Sequence, residues 1–122
     1  MAREKADWEQ VVKWVDWGRI EGAREFITLW ADDQFGKDRD PQATLTKLVL
    51  EEIPELLTHK KEHGLNGLDT EFADTLILLL DLASLWGINV PKALEQKMTM
   101  NVARTWKVDK STGFYNHVED EK

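Results

Sequence analysis

The sequence contains no cysteine, so neither a disulfide framework nor a thiolate metal site can be built from it. It is also short of basic charge: 16 Lys and Arg stand against 23 Asp and Glu, for a net charge of −7. A general nucleic-acid binder needs a basic footprint, so no nucleic-acid partner is expected. No apolar run is long enough to span a bilayer, and the longest, 75–86, is interrupted by Asp81. Residues 1–8 are polar and charged and lack the apolar core of a signal peptide. A cytoplasmic protein without a membrane partner is the expectation. No P-loop, GxSxG elbow or nucleophilic cysteine is present, and no strand-like alternation is bounded by hairpin turns.

What remains is helical spacing, in a chain long enough for one core. A first helix is predicted over 6–32, bent near Gly18 and Gly22, with apolar faces from Trp8, Val11, Val12, Val15, Phe26, Ile27 and Trp30. A loop follows at 35–40. Asp40 and Pro41 form a cap-and-first-residue pair that opens a second helix over 41–63, kinked by Pro54 and stopped by Gly64. Asp69 or Thr70 caps a third helix ending at Gly87, and Pro91 opens a fourth reaching about Trp106. These make an all-α, four-helix-bundle-like domain over 1–106, with a polar C-terminal tail at 107–122. Six Trp residues in 122 point to aromatic surfaces that need covering.

The third helix carries the first chemical signal. Apolar residues surround nearly its whole circumference, as in a helix buried in the middle of a structure. Yet Glu71, Asp74 and Asp81 lie within it, on one stripe at about 100° per residue. Buried carboxylates are costly unless paired or bound to metal, and no Lys or Arg lies between Gly64 and Pro91. On the second helix, Glu52 and Glu55 are three residues apart and share a face, beside Glu51. Two facing helices would bring Glu52, Glu55, Glu71 and Asp74 around one small volume. Oxygen-only ligands of this kind suit Mg²⁺ or Mn²⁺. Glu51–Glu55 taken alone is more often a solvated helix face; the acids inside the apolar helix shift the balance to even.

On the fourth helix, Lys97, Asn101 and Arg104 follow at i, i+4 and i+7, a face able to hold phosphate oxygens. Alone, this too is more often an ordinary solvated face. Beside a divalent-metal site it completes an arrangement for phosphoryl chemistry. His59 and His63, four apart at a helix end, lack a third ligand and read as an exposed terminus. Paired Glu-x-x-His motifs, the mark of di-iron bundles, are absent.

Glu51-Glu52-Ile53-Pro54-Glu55, followed after fifteen residues by Glu71-Phe72-Ala73-Asp74, resembles the EExxE…ExxD signature of MazG-like all-α NTP pyrophosphohydrolases. Lys97, Asn101 and Arg104 look like that family's phosphate-contacting segment. The resemblance covers about 26–106. Arg24-Glu25-Phe26, Phe35-Gly36, Lys47, Leu80-Asp81, Arg104-Thr105-Trp106 and His117-Val118 are similar to the phage-type dATP/dGTP diphosphohydrolases, the MazZ-like branch. Pro54 departs from the pattern, which carries a small residue there.

The resemblance implies hydrolysis of a purine deoxynucleoside triphosphate, dGTP or dATP, to monophosphate and pyrophosphate. It implies two or three Mg²⁺ or Mn²⁺ ions held by Glu52, Glu55, Glu71 and Asp74. Glu52 would activate the attacking water, with Glu51 as alternative base or outer support. Lys97 and Arg104 would stabilise the departing pyrophosphate. A homo-oligomer, dimer or tetramer, is implied as well, and the Trp content agrees. Trp30, Phe35 and Arg39 are candidates for the base pocket, though Trp and Phe are core residues by default. The alternative class is a non-enzymatic acidic helical module that oligomerises and binds a protein partner.

Overall fold

The computed structural model describes residues 7–118. Residues 1–6 and 119–122 lie outside the described part, and with them most of the segment read for a leader and the end of the tail. Contacts divide the chain into two compact units, at Val90 and Pro91.

Every secondary-structure element of the first unit's described part is helical. The helix expected over 6–32 is two helices, α1 (Trp8–Trp14) and α2 (Ile20–Phe35). The break has a local cause. Asp16 accepts hydrogen bonds from Gly18 N through its side chain and from Arg19 N through its carbonyl. That carbonyl then lies so close to Gly22 that a Cβ there would sit 2.9 Å from it. Gly22 is required by this close approach rather than by a bend.

Asp40 caps α3 (Pro41–Lys47), accepting from Gln42 N at 3.0 Å, with Pro41 in the first turn as expected. The simple kink expected at Pro54 is instead a π-helical turn just before it, Leu48–Glu52, which leads into α4 (Ile53–His63). Gly64, at φ 62°, ends α4. The third predicted helix is α5 (Leu68–Leu85), opened by Gly67 at φ 72° rather than by an Asp69 or Thr70 side-chain cap. Thr70 Oγ1 instead donates back to the Gly67 carbonyl at 2.9 Å.

Helix α5 is the centre of this unit: α2, α3, the π turn and α4 all pack against it. Ile27 and Ala31 of α2, Leu48 of the π turn, and Leu80, Leu82 and Ala83 of α5 are buried. Only the C-terminal half of α5 is so enclosed. Before Leu80 the helix leaves Phe72, Leu76, Ile77 and Leu79 exposed, which corrects the expectation of burial on every side. Trp8 and Trp17 pack edge-on against Phe26, at ring distances of 5.7 and 5.3 Å, joining α1 to α2.

The second unit contains α6 (Val90–Ala103) from Pro91 onward and a small antiparallel hairpin. Its strands, β1 (Trp106–Val108) and β2 (Tyr115–His117), pair Trp106 with His117 and Val108 with Tyr115. The fourth helix thus stops short of Trp106, which opens β1, and the remaining strand residues lie in the stretch read as a polar tail. Strands of three residues are too short for alternation to show. The turn is set by Asp109, whose side chain accepts from Ser111 N and Oγ. Trp106 Nε1 ties the hairpin to α6 by donating to the Asn101 carbonyl at 2.7 Å. The fold is all-α apart from this hairpin.

Candidate active site

The first unit holds a cavity of about 550 Å³, a size typical of small-molecule sites. Its walls come from four segments. Helix α2 and the loop after it contribute Trp30, Phe35 and Arg39; α3 contributes Thr44 and Lys47; Glu52 ends the π turn and Glu55 lies on α4; α5 contributes Asp74, Ile77 and Asp81. The candidate metal ligands Glu52, Glu55 and Asp74 thus share one cavity with the three base-pocket candidates.

Glu71 is placed differently. It lines a neighbouring depression with Glu51, Glu55, His59 and His63. Glu55 belongs to both hollows, so the expected quartet is spread along the α4–α5 groove instead of surrounding one volume. Residues three apart on a helix differ by roughly 60° in direction, and Asp74 lines the cavity while Glu71 lines the neighbouring depression. Among the described residues, no three acidic or imidazole groups are drawn together tightly enough to cage an ion. In donor chemistry the set still fits a hard divalent cation: carboxylate oxygens on facing helices, along one groove, with no thiolate among them.

Two cations form ion pairs around this cavity. Lys47 Nζ lies 2.6 Å from Glu51 Oε2 and 3.4 Å from Glu52 Oε1. The Glu51 carboxylate, and then Glu52, holds the Lys47 ammonium above its ordinary pKa. Glu51 is exposed, whereas the Glu52 side chain is only 12% exposed and faces the cavity. Arg39 is the second cation. It meets Asp81 Oδ1 and Asp32 Oδ1, each at 2.6 Å, and donates to the Gly36 carbonyl. Burial pushes its pKa down, but the bonds to Asp81 and Asp32 prevail and the net direction is up.

Asp81 therefore leaves the acidic stripe of α5. It is 5% exposed and paired with Arg39, 42 positions away. That partner lies outside 64–91, on the loop before α3. Arg39, for its part, lines the cavity with most of its donors already engaged. Trp30 and Phe35 stand edge-to-face beside it, with ring centroids 5.5 Å apart.

His59 Nε2 donates to the Asn66 carbonyl at 2.6 Å, so the ring closes the turn after α4. Lys97, Asn101 and Arg104 belong to the second unit. Lys97 and Asn101 are on α6, but Arg104 lies one residue beyond its end, with its N–H bonded to the Asn101 carbonyl. The expected three-residue helical face is thus cut to two. Asn101 Oδ1 has no hydrogen-bond partner among the described residues. Lys47 is the cavity residue that spacing could have supplied, since it stands four before Glu51.

No family model matches the chain. A solved structure, the cyanophage S-2L MazG-like pyrophosphohydrolase bound to dGDP and three catalytic Mn²⁺ ions per active site, superposes with a TM-score of 0.70. The two are 34% identical, over 84% of this chain and 96% of that one. The chain belongs to the MazG-like pyrophosphohydrolases. Two curated relatives carry the name dATP/dGTP diphosphohydrolase. That of cyanophage S-2L is 46% identical over 69 residues, 57% of this chain and 61% of the relative. That of Salmonella phage PMBT28 is 36% identical over 103 residues, 84% of this chain and 33% of the relative. The MazG-like chain thus spans less than two thirds of either relative's length.

Proposed function

We propose that this MazG-like chain hydrolyses a purine deoxynucleoside triphosphate, dGTP or dATP, to the monophosphate and pyrophosphate, using Mg²⁺ or Mn²⁺. The observation that carries this reading is the shared cavity. Glu52, Glu55 and Asp74 line it together with the Trp30–Phe35 pair, in a chain that aligns over most of its length with a dGDP- and Mn²⁺-bound relative. Carboxylates offer the cation end of a metal-triphosphate complex, and the aromatic pair offers an apolar surface for a base.

Glu52, Glu55, Glu71 and Asp74 would hold two or three ions, and such ions neutralise a triphosphate and make water a better nucleophile at neutral pH. Glu52 orients that water and takes its proton as oxygen attacks the α-phosphorus. The bond from the α-phosphorus to the bridging oxygen breaks, and pyrophosphate leaves. Glu51, held outward by Lys47, supports Glu52 from outside the cavity. The resemblance assigns Lys97, Asn101 and Arg104 of the second unit to phosphate contacts, and Asn101 Oδ1 has no hydrogen-bond partner among the described residues. Trp30 and Phe35 receive the base.

A homo-oligomer, dimer or tetramer, belongs to the same reading. Leu57 on α4 is 69% exposed and Phe72 on α5 is 60% exposed, with Leu76 and Leu79 further along α5. Exposed apolar side chains of this size call for a cover. No described helix is long and apolar enough to cross a membrane by itself. The enzyme would act in the cytoplasm, where its substrates are, on free nucleotides rather than on nucleic acid.

The test is a panel of NTPs and dNTPs with Mg²⁺ or Mn²⁺, products separated by ion exchange. The expected result is monophosphate and pyrophosphate from dGTP and dATP, and no turnover in EDTA. Metal-independent behaviour with no turnover of any nucleotide would favour the non-enzymatic binding module.

A further inference from the structure

The helix carrying Glu51, Glu52 and Glu55 changes register just before its proline, and this change decides which glutamate enters the cavity. Ile53 N–H bonds to the Leu48 carbonyl, five residues back, where an α-helix would bond four back. The cavity-lining residues show the consequence. On α3 they are Ala43, Thr44 and Lys47; the next is Glu52, five positions after Lys47. In a continuous α-helix, five residues turn through about 500°, which leaves Glu52 roughly 140° away from the Lys47 face. Glu51, four residues on and about 40° away, would take its place. Across a π turn the bond joins i to i+5, which returns Glu52 to the cavity face, while Glu51 keeps its contact with Lys47, 2.6 Å from Nζ, from the exposed side. The structure has this arrangement: Glu52 lines the cavity, and Glu51 is exposed and lines the neighbouring depressions.

Pro54 supplies the cause. It has no N–H to give the Leu50 carbonyl, and in an α-helix its ring would press on that carbonyl. Widening the preceding turn relieves both faults. We infer that Pro54 is a positioning residue: it holds the π turn at Leu48–Glu52, and that turn selects Glu52 over Glu51 as the cavity carboxylate. The inference rests on the reading of Glu52 as a metal-binding group. It gives a reason for the proline in the middle of the acidic motif, where a helix interior would otherwise reject it.

The test combines a substitution with a compensating deletion. In Pro54→Ala the crystal structure should show Ile53 N–H bonded to the Val49 carbonyl, with Glu51 turned to the cavity and Glu52 turned away. Mn²⁺ affinity, read by calorimetry without nucleotide, should fall about tenfold, while the melting temperature holds or rises. Deleting the exposed Leu50 in the Pro54→Ala background restores a four-residue step from Lys47 to Glu52. Mn²⁺ affinity should then return, a recovery that a merely structural proline would not produce. A Pro54→Ala structure that keeps the Ile53–Leu48 bond would overturn the inference, as would a deletion variant that returns Glu52 to the cavity without regaining Mn²⁺. Failure of the parent protein to bind Mn²⁺ would refute the metal reading itself, and the register seen in Pro54→Ala would still decide the role of the proline.

Discussion

Arg39 and Asp81 form a two-pronged ion pair in the first unit, Nη2 to Oδ1 at 2.6 Å and Nε to Oδ2 at 3.3 Å. Their side chains are 9% and 7% exposed, and the pair ties the loop before α3 to α5. Arg39→Met would strand Asp81 in the core and should cost about 3–5 kcal/mol. Arg39→Met with Asp81→Leu should recover most of that loss. Chemical denaturation of both variants checks it, and equal destabilisation in the single and double variants would contradict a buried pair.

The acids assigned to metal should behave in the opposite way. Glu71→Gln or Asp74→Asn should abolish turnover in Mg²⁺, yet leave the melting temperature in EDTA unchanged or higher. Neither has a cationic partner in the described structure to strand, and removing one charge from an acidic groove relieves repulsion. A large fall in melting temperature with activity retained would assign them a structural role.

Lys47 gives a pH dependence with a definite sign. Its folded pKa is raised above 10.5 by Glu51 first and Glu52 second. The unfolded chain loses that proton earlier, so the contribution is fully present below the unfolded value and fades as pH rises through the folded one. Metal-free protein should therefore lose melting temperature above about pH 10, and Lys47→Met should flatten that slope. Because the pair is half exposed, the effect should be small and should shrink with salt. Identical alkaline slopes in the two proteins would count against the contact.

Base preference should follow the aromatic wall. Trp30→Ala should raise KM for dGTP and dATP more than it lowers kcat, because a wall that only holds the base acts before the chemical step. A preference for dCTP or dUTP in the parent protein would remove the purine assignment.

How much of this was legible depended on the range of each interaction. Asp40, Pro41 and Gly64 act on their own neighbours, and their local chemistry placed helix ends correctly. The ExxE and ExxD spacings likewise put carboxylates on the α4–α5 groove. The break after α1 was harder, because Gly22 answers to the backbone of Asp16 rather than to helix propensity. The π turn hid behind a proline that reads equally well as a kink. Arg39 and Asp81 meet only through the tertiary fold, so a search along α5 misjudged Asp81 as a free acid. Arg104 falls outside the helical face that carries Lys97 and Asn101 because α6 ends at Ala103.

The central claim is attack by water on the α-phosphorus of a deoxynucleoside triphosphate. Hydrolysis of dGTP with Mn²⁺ in ¹⁸O-labelled water, followed by mass spectrometry of both products, tests it most directly. The account predicts one labelled oxygen in the deoxynucleoside monophosphate and none in the pyrophosphate. Label in the pyrophosphate would place the attack on the β-phosphorus, and labelled inorganic phosphate beside a diphosphate would place it on the γ-phosphorus; either result would contradict the mechanism.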